Sequence, residues 1–142
     1  MVGETASAHL RYILEQQGER VRRPKSTVLF RRGDKAAGMF VVLSGKVSLD
    51  LGIDSGLSRC HGTGALVGLP STITRQNYSM TATVTEDAEL GFWSSEALES
   101  LLRKQPDLCQ PLLVILSTKV AENHDVERTF VDRQKADYES AN

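Results

Sequence analysis

The sequence predicts a mainly β domain of sandwich, roll or barrel type, with one helix before the strands and two after them. Three observations carry this. Met39–Leu43 is an unbroken apolar run, after which Val47, Leu49 and Leu51 alternate with Lys46, Ser48 and Asp50. Met80, Ala82 and Val84 alternate likewise with Ser79, Thr81, Thr83 and Thr85. Such period-two patterning sets one strand face on a core and the other in water. Finally, glycines and turn dipeptides recur between residues 33 and 68, as short strands joined by tight turns require.

In chain order, Thr5–Gln17 reads as an amphipathic helix, because Leu10, Ile13, Leu14 and Gln17 share one face. Thr5 or Ser7 can cap its start, and Gly18 can end it in the left-handed conformation. Thr27–Arg32 is β-rich and runs into a turn at Gly33-Asp34. Ser44-Gly45 breaks the Met39–Leu43 strand, and Asp54-Ser55-Gly56 makes a further turn. Gly62, Gly64 and Gly68 mark sharp bends or close approaches. Glu86-Asp87 turns the chain into a last strand carrying Leu90 and Phe92.

The last third is helical. Ser94 or Ser95 caps a helix bearing Leu98, Leu101 and Leu102, which ends near Gln105-Pro106. A second helix starts close to Pro111, a residue suited to a first turn, and runs into the 130s. Leu112, Ile115 and Leu116 give it one apolar face. Cys109, Leu113, Leu116, Val120, Asn123, Glu127 and Phe130 give it a heptad-like seam. This is more apolar surface than packing on a single domain needs, so a homodimer through this helix is expected. The divisions are an N-terminal helix at 1–20, a ligand-binding β domain at 21–94, C-terminal helices at 95–135 and a polar tail at 136–142.

Bulk properties exclude several classes. With 142 residues, 40% apolar and 25% charged, the chain suits one globular domain. A net charge of −1 argues against a constitutive nucleic-acid binder. Arg22, Arg23, Lys25, Arg31 and Arg32 are read as solvated strand and loop surface. The longest apolar run, Pro111–Leu116, falls far short of the ~20 residues of a membrane span. No leader is evident and the two cysteines fit a reducing compartment, so a cytoplasmic location is expected.

Catalysis is not expected. A cupin-type metal enzyme on a related roll would need closely spaced histidines. Here His9, His61 and His124 lie in three distant segments, and Cys60 and His61, being adjacent, would point to opposite faces of a strand. No metal site is assigned. Neither a Gly-x-Ser-x-Gly nor a Walker loop occurs.

Val28–Asp34 and Gly38–Val47 resemble the first half of the cyclic nucleotide-binding domain. That domain is the effector module of catabolite-activator (CRP/FNR) regulators, cyclic-nucleotide-dependent kinases and gated channels. Gly64–Val84 and Ala88–Phe92 resemble its second half. The likeness spans roughly residues 10 to 125 and implies an antiparallel, jelly-roll-like β-roll. It also implies a binding mode. One helical turn after the glycines points its N–H groups at the cyclic phosphate, and a glutamate after the glycine holds the ribose hydroxyl. An arginine about ten residues later pairs with the phosphate, followed by a small hydroxyl residue and an alanine.

In this chain Gly68, Ser79 and Thr81-Ala82 match, but Leu69 stands at the glutamate position and Tyr78 at the arginine position. The ligand-binding set that the resemblance gives is Gly68, Leu69, Pro70, Ser71, Arg75, Tyr78, Ser79, Met80 and Thr81. Each lost charged hydrogen bond removes roughly 1.5–3 kcal/mol, so cyclic-nucleotide affinity falls on the order of a hundredfold or more. Arg75 is the nearest replacement cation, and Pro70 suits a helix start. Leu69, Tyr78 and Met80 can instead fill the pocket from within.

Two readings follow. In the first, the chain is a regulatory sensor that binds a small ligand, a cyclic nucleotide or another, and relays it through the C-terminal helix. In the second, a degenerate domain takes no nucleotide and serves as a protein-interaction module. No cofactor is assigned beyond the cyclic nucleotide that the resemblance allows, and Tyr78→Arg with Leu69→Glu is expected to restore affinity for it. In catabolite-activator proteins a helix-turn-helix follows the long helix. Only about twenty residues follow Val120 here, and they include Glu122, Asp125, Glu127, Asp132, Asp137 and Glu139. No direct DNA binding is expected. The polar end Glu139-Ser140-Ala141-Asn142 reads as natural, though an effector domain cut from a longer chain stays open.

Overall fold

The computed structural model describes residues 2–51 and 58–118, with side chains from residue 8 onward. Thr5 and Ser7 lie inside the first helix, which already begins at Val2, so neither caps its start. The turn at Asp54-Ser55-Gly56, the seam from Val120 and the 136–142 tail lie outside the described residues. Helix α1 (Val2–Gln17) leads into β1 (Glu19–Arg23), β2 (Val28–Phe30), β3 (Gly38–Asp50), β4 (Ser58–His61) and β5 (Leu66–Val67). Then come α2 (Leu69–Thr74), β6 (Thr81–Ser94), α3 (Ser95–Lys104) and a 3-10 turn at Pro106–Leu108. Helix α4 occupies 109–118.

Pairing is antiparallel throughout, in the order β1-β6-β3-β4, with β2 also on β6 and β5 also on β3. This is an antiparallel β-roll with flanking helices. Its spine is the β3–β6 ladder, from Gly38↔Ser94 to Asp50↔Thr81. Ser44-Gly45 and Glu86-Asp87 therefore do not end strands. They face each other inside one ladder, whose register slips at each step between Val42, Ser44, Lys46 and Val47. Gly45 sits at φ 86°, and a Cβ there would lie 2.4 Å from the Asp87 carbonyl oxygen. Only glycine fits, and such bulges bend and twist the ladder.

Two apolar layers line the roll. Val42, Val47, Ala82, Val84 and Leu90 form its interior with Phe30 and Tyr78. Met39 and Val41 face the other way, onto Leu10, Leu14, Leu98, Leu101, Leu112 and Ile115 from the helices. The unbroken Met39–Leu43 run thus reflects a strand covered on both faces.

The helices are pinned to this frame by named contacts. Trp93 Nε1 donates to the Leu14 carbonyl at 2.9 Å, and Arg11 Nη1 donates to the Gly64 carbonyl at 3.0 Å. Gly18 does follow α1, but it is not among the residues with positive φ. It is required for close approach instead, since a Cβ there would meet Trp93 Nε1 at 2.7 Å. Ser94 caps α3 by accepting from the Ala97 N–H, with Glu96 in the first turn and Arg103 and Lys104 in the last. Helix α4 begins at residue 109, close to Pro111 as expected and directly after the 3-10 turn. Leu112 and Ile115 are buried, whereas Leu113 is 60% and Val114 58% exposed.

Candidate functional site

The segment from Gly68 to Thr81 runs from the end of β5 through α2 to the start of β6. Gly68 precedes α2 at φ 83°, the left-handed region where glycine is favoured. Its carbonyl accepts from both the Thr72 N–H at 3.1 Å and Thr72 Oγ1 at 2.7 Å. Space is tight there as well: a Cβ on Gly68 would meet Tyr78 Cε1 at 3.2 Å and Phe30 Cε2 at 3.3 Å. A helix start offers unpaired N–H groups, but Pro70 in the first turn brings none.

Tyr78 dominates the site. Its ring stacks on Phe30 with centroids 3.8 Å apart and planes 13° apart. Its hydroxyl donates to the Gly38 carbonyl at 2.6 Å and accepts from the N–H groups of Ala37 and Gly38, each at 3.2 Å. The phenol thereby satisfies three backbone groups at the start of β3. The flanking backbone is tied down too: Tyr78 N–H donates to the Asp34 carbonyl and Gly33 N–H to the Tyr78 carbonyl, each at 2.9 Å. An isolated bridge joins Lys35 to Asn77. Tyr78 is only 5% exposed.

The other members of the set scatter. Leu69 is fully buried, but in the layer under the helices with Leu98 and Leu101 rather than in the roll interior. Ser71 is buried in α2 and Pro70 half-buried. Arg75 stands exposed at the far end of α2, at φ 56°. Its guanidinium holds Glu99 Oε1 through Nη2 at 2.8 Å and Nε at 3.0 Å, and approaches Glu96 Oε1 at 3.7 Å. The hydrogen bond to Glu99, then the charge of Glu99, raises the Arg75 pKa above its ordinary value. Arg75 is thus tied to α3. Ser79 is half-buried, and Met80 packs with Leu51 in a separate small cluster. Thr81 Oγ1 accepts the Arg32 N–H at 2.9 Å.

The structure therefore joins Gly68 and Tyr78 to Phe30 and Gly38, and turns Leu69 and Arg75 toward the helices. Phe30 and Gly38 were not in the sequence-derived set. No sequence signal marked either as part of the site; in the structure a Cβ at Gly38 would meet the Trp93 carbonyl at 2.3 Å and the Phe92 ring at 2.7 Å. Among the described residues no group of three or more His, Cys, Asp or Glu could hold a metal ion, and no helix is long and apolar enough to cross a membrane.

A family model described as the cyclic nucleotide-binding domain matches residues 20–105. Patatin-like phospholipase domain-containing protein 7 of Mus musculus is 33% identical over 95 residues, 65% of this chain and 7% of that protein. The chain thus spans a small fraction of the curated relatives it matches. Among solved structures, the catabolite activator protein of Thermus thermophilus superposes with a TM-score of 0.69 at 26% identity, covering 89% of this chain and 59% of that one. A protein from a cyclic-GMP-dependent signalling pathway that regulates bacterial phytopathogenesis superposes with a TM-score of 0.74 at 22% identity, over 82% and 94% of the two chains.

Proposed function

Because this chain belongs to the cyclic nucleotide-binding domain family, we propose that it is a regulatory, non-catalytic module that works through protein contacts, with its phosphate cradle closed by Tyr78. One observation carries the reading: the buried Tyr78 hydroxyl takes the Ala37 and Gly38 N–H groups, while the ring fills the space against Phe30. The residues present do not suit a cyclic phosphate. The arginine position holds a phenol, the glutamate position points a leucine into the helical layer, and the nearest cation is committed to Glu99. Seating a nucleotide would mean unstacking Tyr78 and leaving its three backbone partners without it, a loss that such a ligand must first make good.

The experiment is a thermal-shift titration with cyclic AMP and cyclic GMP. A ligand at a hundred times its dissociation constant stabilises a fold by about 2.7 kcal/mol, or a few degrees at this size. The expected result is no shift at millimolar ligand. A saturating rise in melting temperature would instead establish the sensor reading, with Tyr78 displaced by the nucleotide.

Relay to the rest of the assembly runs through α4, which also forms a homodimer in a cytoplasmic setting. The exposed Leu113 and Val114, on a helix otherwise buried along one face, support this. Leu113→Glu is expected to halve the mass seen by sedimentation equilibrium. An unchanged mass would remove the dimer seam from this face.

A further inference from the structure

We propose that the outer edge of β1 is a docking strand for an extended acidic segment of a partner protein. The inference rests on the interaction-module reading and names the surface it uses. Strand β1 pairs with β6 from Glu19↔Phe92 to Arg23↔Ala88, and among the described residues no strand pairs with its other side. Alternate residues of an antiparallel strand turn their N–H and C=O groups away from the paired neighbour. The free side of β1 therefore presents donors and acceptors that an added strand can take. The Arg22 carbonyl already accepts from Arg23 Nη1 at 2.8 Å and would have to exchange that bond.

Charge selects the occupant. Along β1 only Val21 is half-buried; the other four residues are exposed. Arg20 is occupied by Glu89 at 2.9 Å. Arg22, Arg23 and Lys25 have no carboxylate partner among the described residues. A cavity of about 420 Å³ opens beside the same strand, lined by Arg22, Arg23, Ser44 and the buried Ala88 together with Asp87 and Glu89. Those two carboxylates are already engaged, Asp87 by the Lys25 N–H at 2.7 Å and Glu89 by Arg20. Against the exposed Glu19 at the head of β1 stand Arg22, Arg23 and Lys25 toward its other end. That end is net cationic, so an acidic strand matches it better than a basic one.

The test titrates the full chain, followed by amide NMR, with a capped peptide of alternating glutamate and valine. Its lysine–valine counterpart and a version N-methylated at alternate residues serve as controls. The expected result is saturable shifts at β1 and the cavity rim with the acidic peptide alone. R22E/R23E, checked by its melting curve for an intact fold, should weaken binding about tenfold or more. Absence of saturable shifts at millimolar peptide, equal binding of the lysine peptide, or indifference to R22E/R23E would each overturn the proposal. The arginines would then serve only to guard the edge against pairing. A nucleotide-dependent thermal shift would strike the closed-cradle reading and leave this titration unaffected, so the two failures are distinct.

Discussion

Tyr78→Ala is expected to destabilise the domain by about 3–5 kcal/mol, the range for truncating a buried aromatic ring. Two losses combine. The cavity left beside Phe30 forfeits a stack at 3.8 Å, and the Ala37 and Gly38 N–H groups and the Gly38 carbonyl lose their shared partner. Tyr78→Phe separates the two. It keeps the ring and deletes the hydroxyl, so its cost should fall to about 1–3 kcal/mol. Urea unfolding of both variants gives the ratio directly. A Tyr78→Phe variant as stable as the parent would mean that packing alone closes the cradle.

Leu69→Glu is the second large effect, at roughly 4 kcal/mol or more, enough to unfold many single domains. The side chain is fully buried among Leu98, Leu101 and other leucines of the helical layer. A carboxylate there loses its hydration with no cation supplied in return. Leu69→Gln, uncharged and of similar size to glutamate, should cost distinctly less at neutral pH. Equal losses would show that shape rather than charge sets the penalty. The same geometry revises an expectation from sequence: joining Leu69→Glu to Tyr78→Arg should not restore cyclic-nucleotide affinity, because position 69 faces away from the cradle.

These two residues also show what the sequence made legible. Alternation at Val47–Leu51 and Met80–Val84 revealed which strands have an inside, because side-chain period follows from backbone geometry alone. The same alternation wrongly left Ser48 in water, whereas the structure buries it beside Val47. It could not reveal that Ser44-Gly45 and Glu86-Asp87 meet within one ladder. A glycine with positive φ suits a chain-reversing turn and a bulge equally, and only the cross-strand partner decides between them. Strand β4 was legible only as a strand that could carry Cys60 and His61, without bounds or partner, because its SRCH sequence is largely exposed and lacks apolar alternation.

At the cradle, position along the chain was legible and direction was not. Tyr78 stood out as a departure from the family pattern, yet whether a phenol fills a pocket or lines it depends on neighbours far away in sequence, here Phe30 and Gly38. Leu69 opens α2, and the phase of a short helix is set by what it packs against. Arg75 was the natural replacement cation until Glu99, on another helix, was seen to hold it.

If Tyr78 closes the cradle, it keeps it shut whether or not a cyclic nucleotide is present. The most direct measurement follows the Ala37 and Gly38 amide resonances while cyclic AMP or cyclic GMP is raised to millimolar concentration. The closed cradle predicts that both stay at their ligand-free positions. Saturable movement of these two amides would contradict it, because they would then be answering to the nucleotide rather than to the Tyr78 hydroxyl.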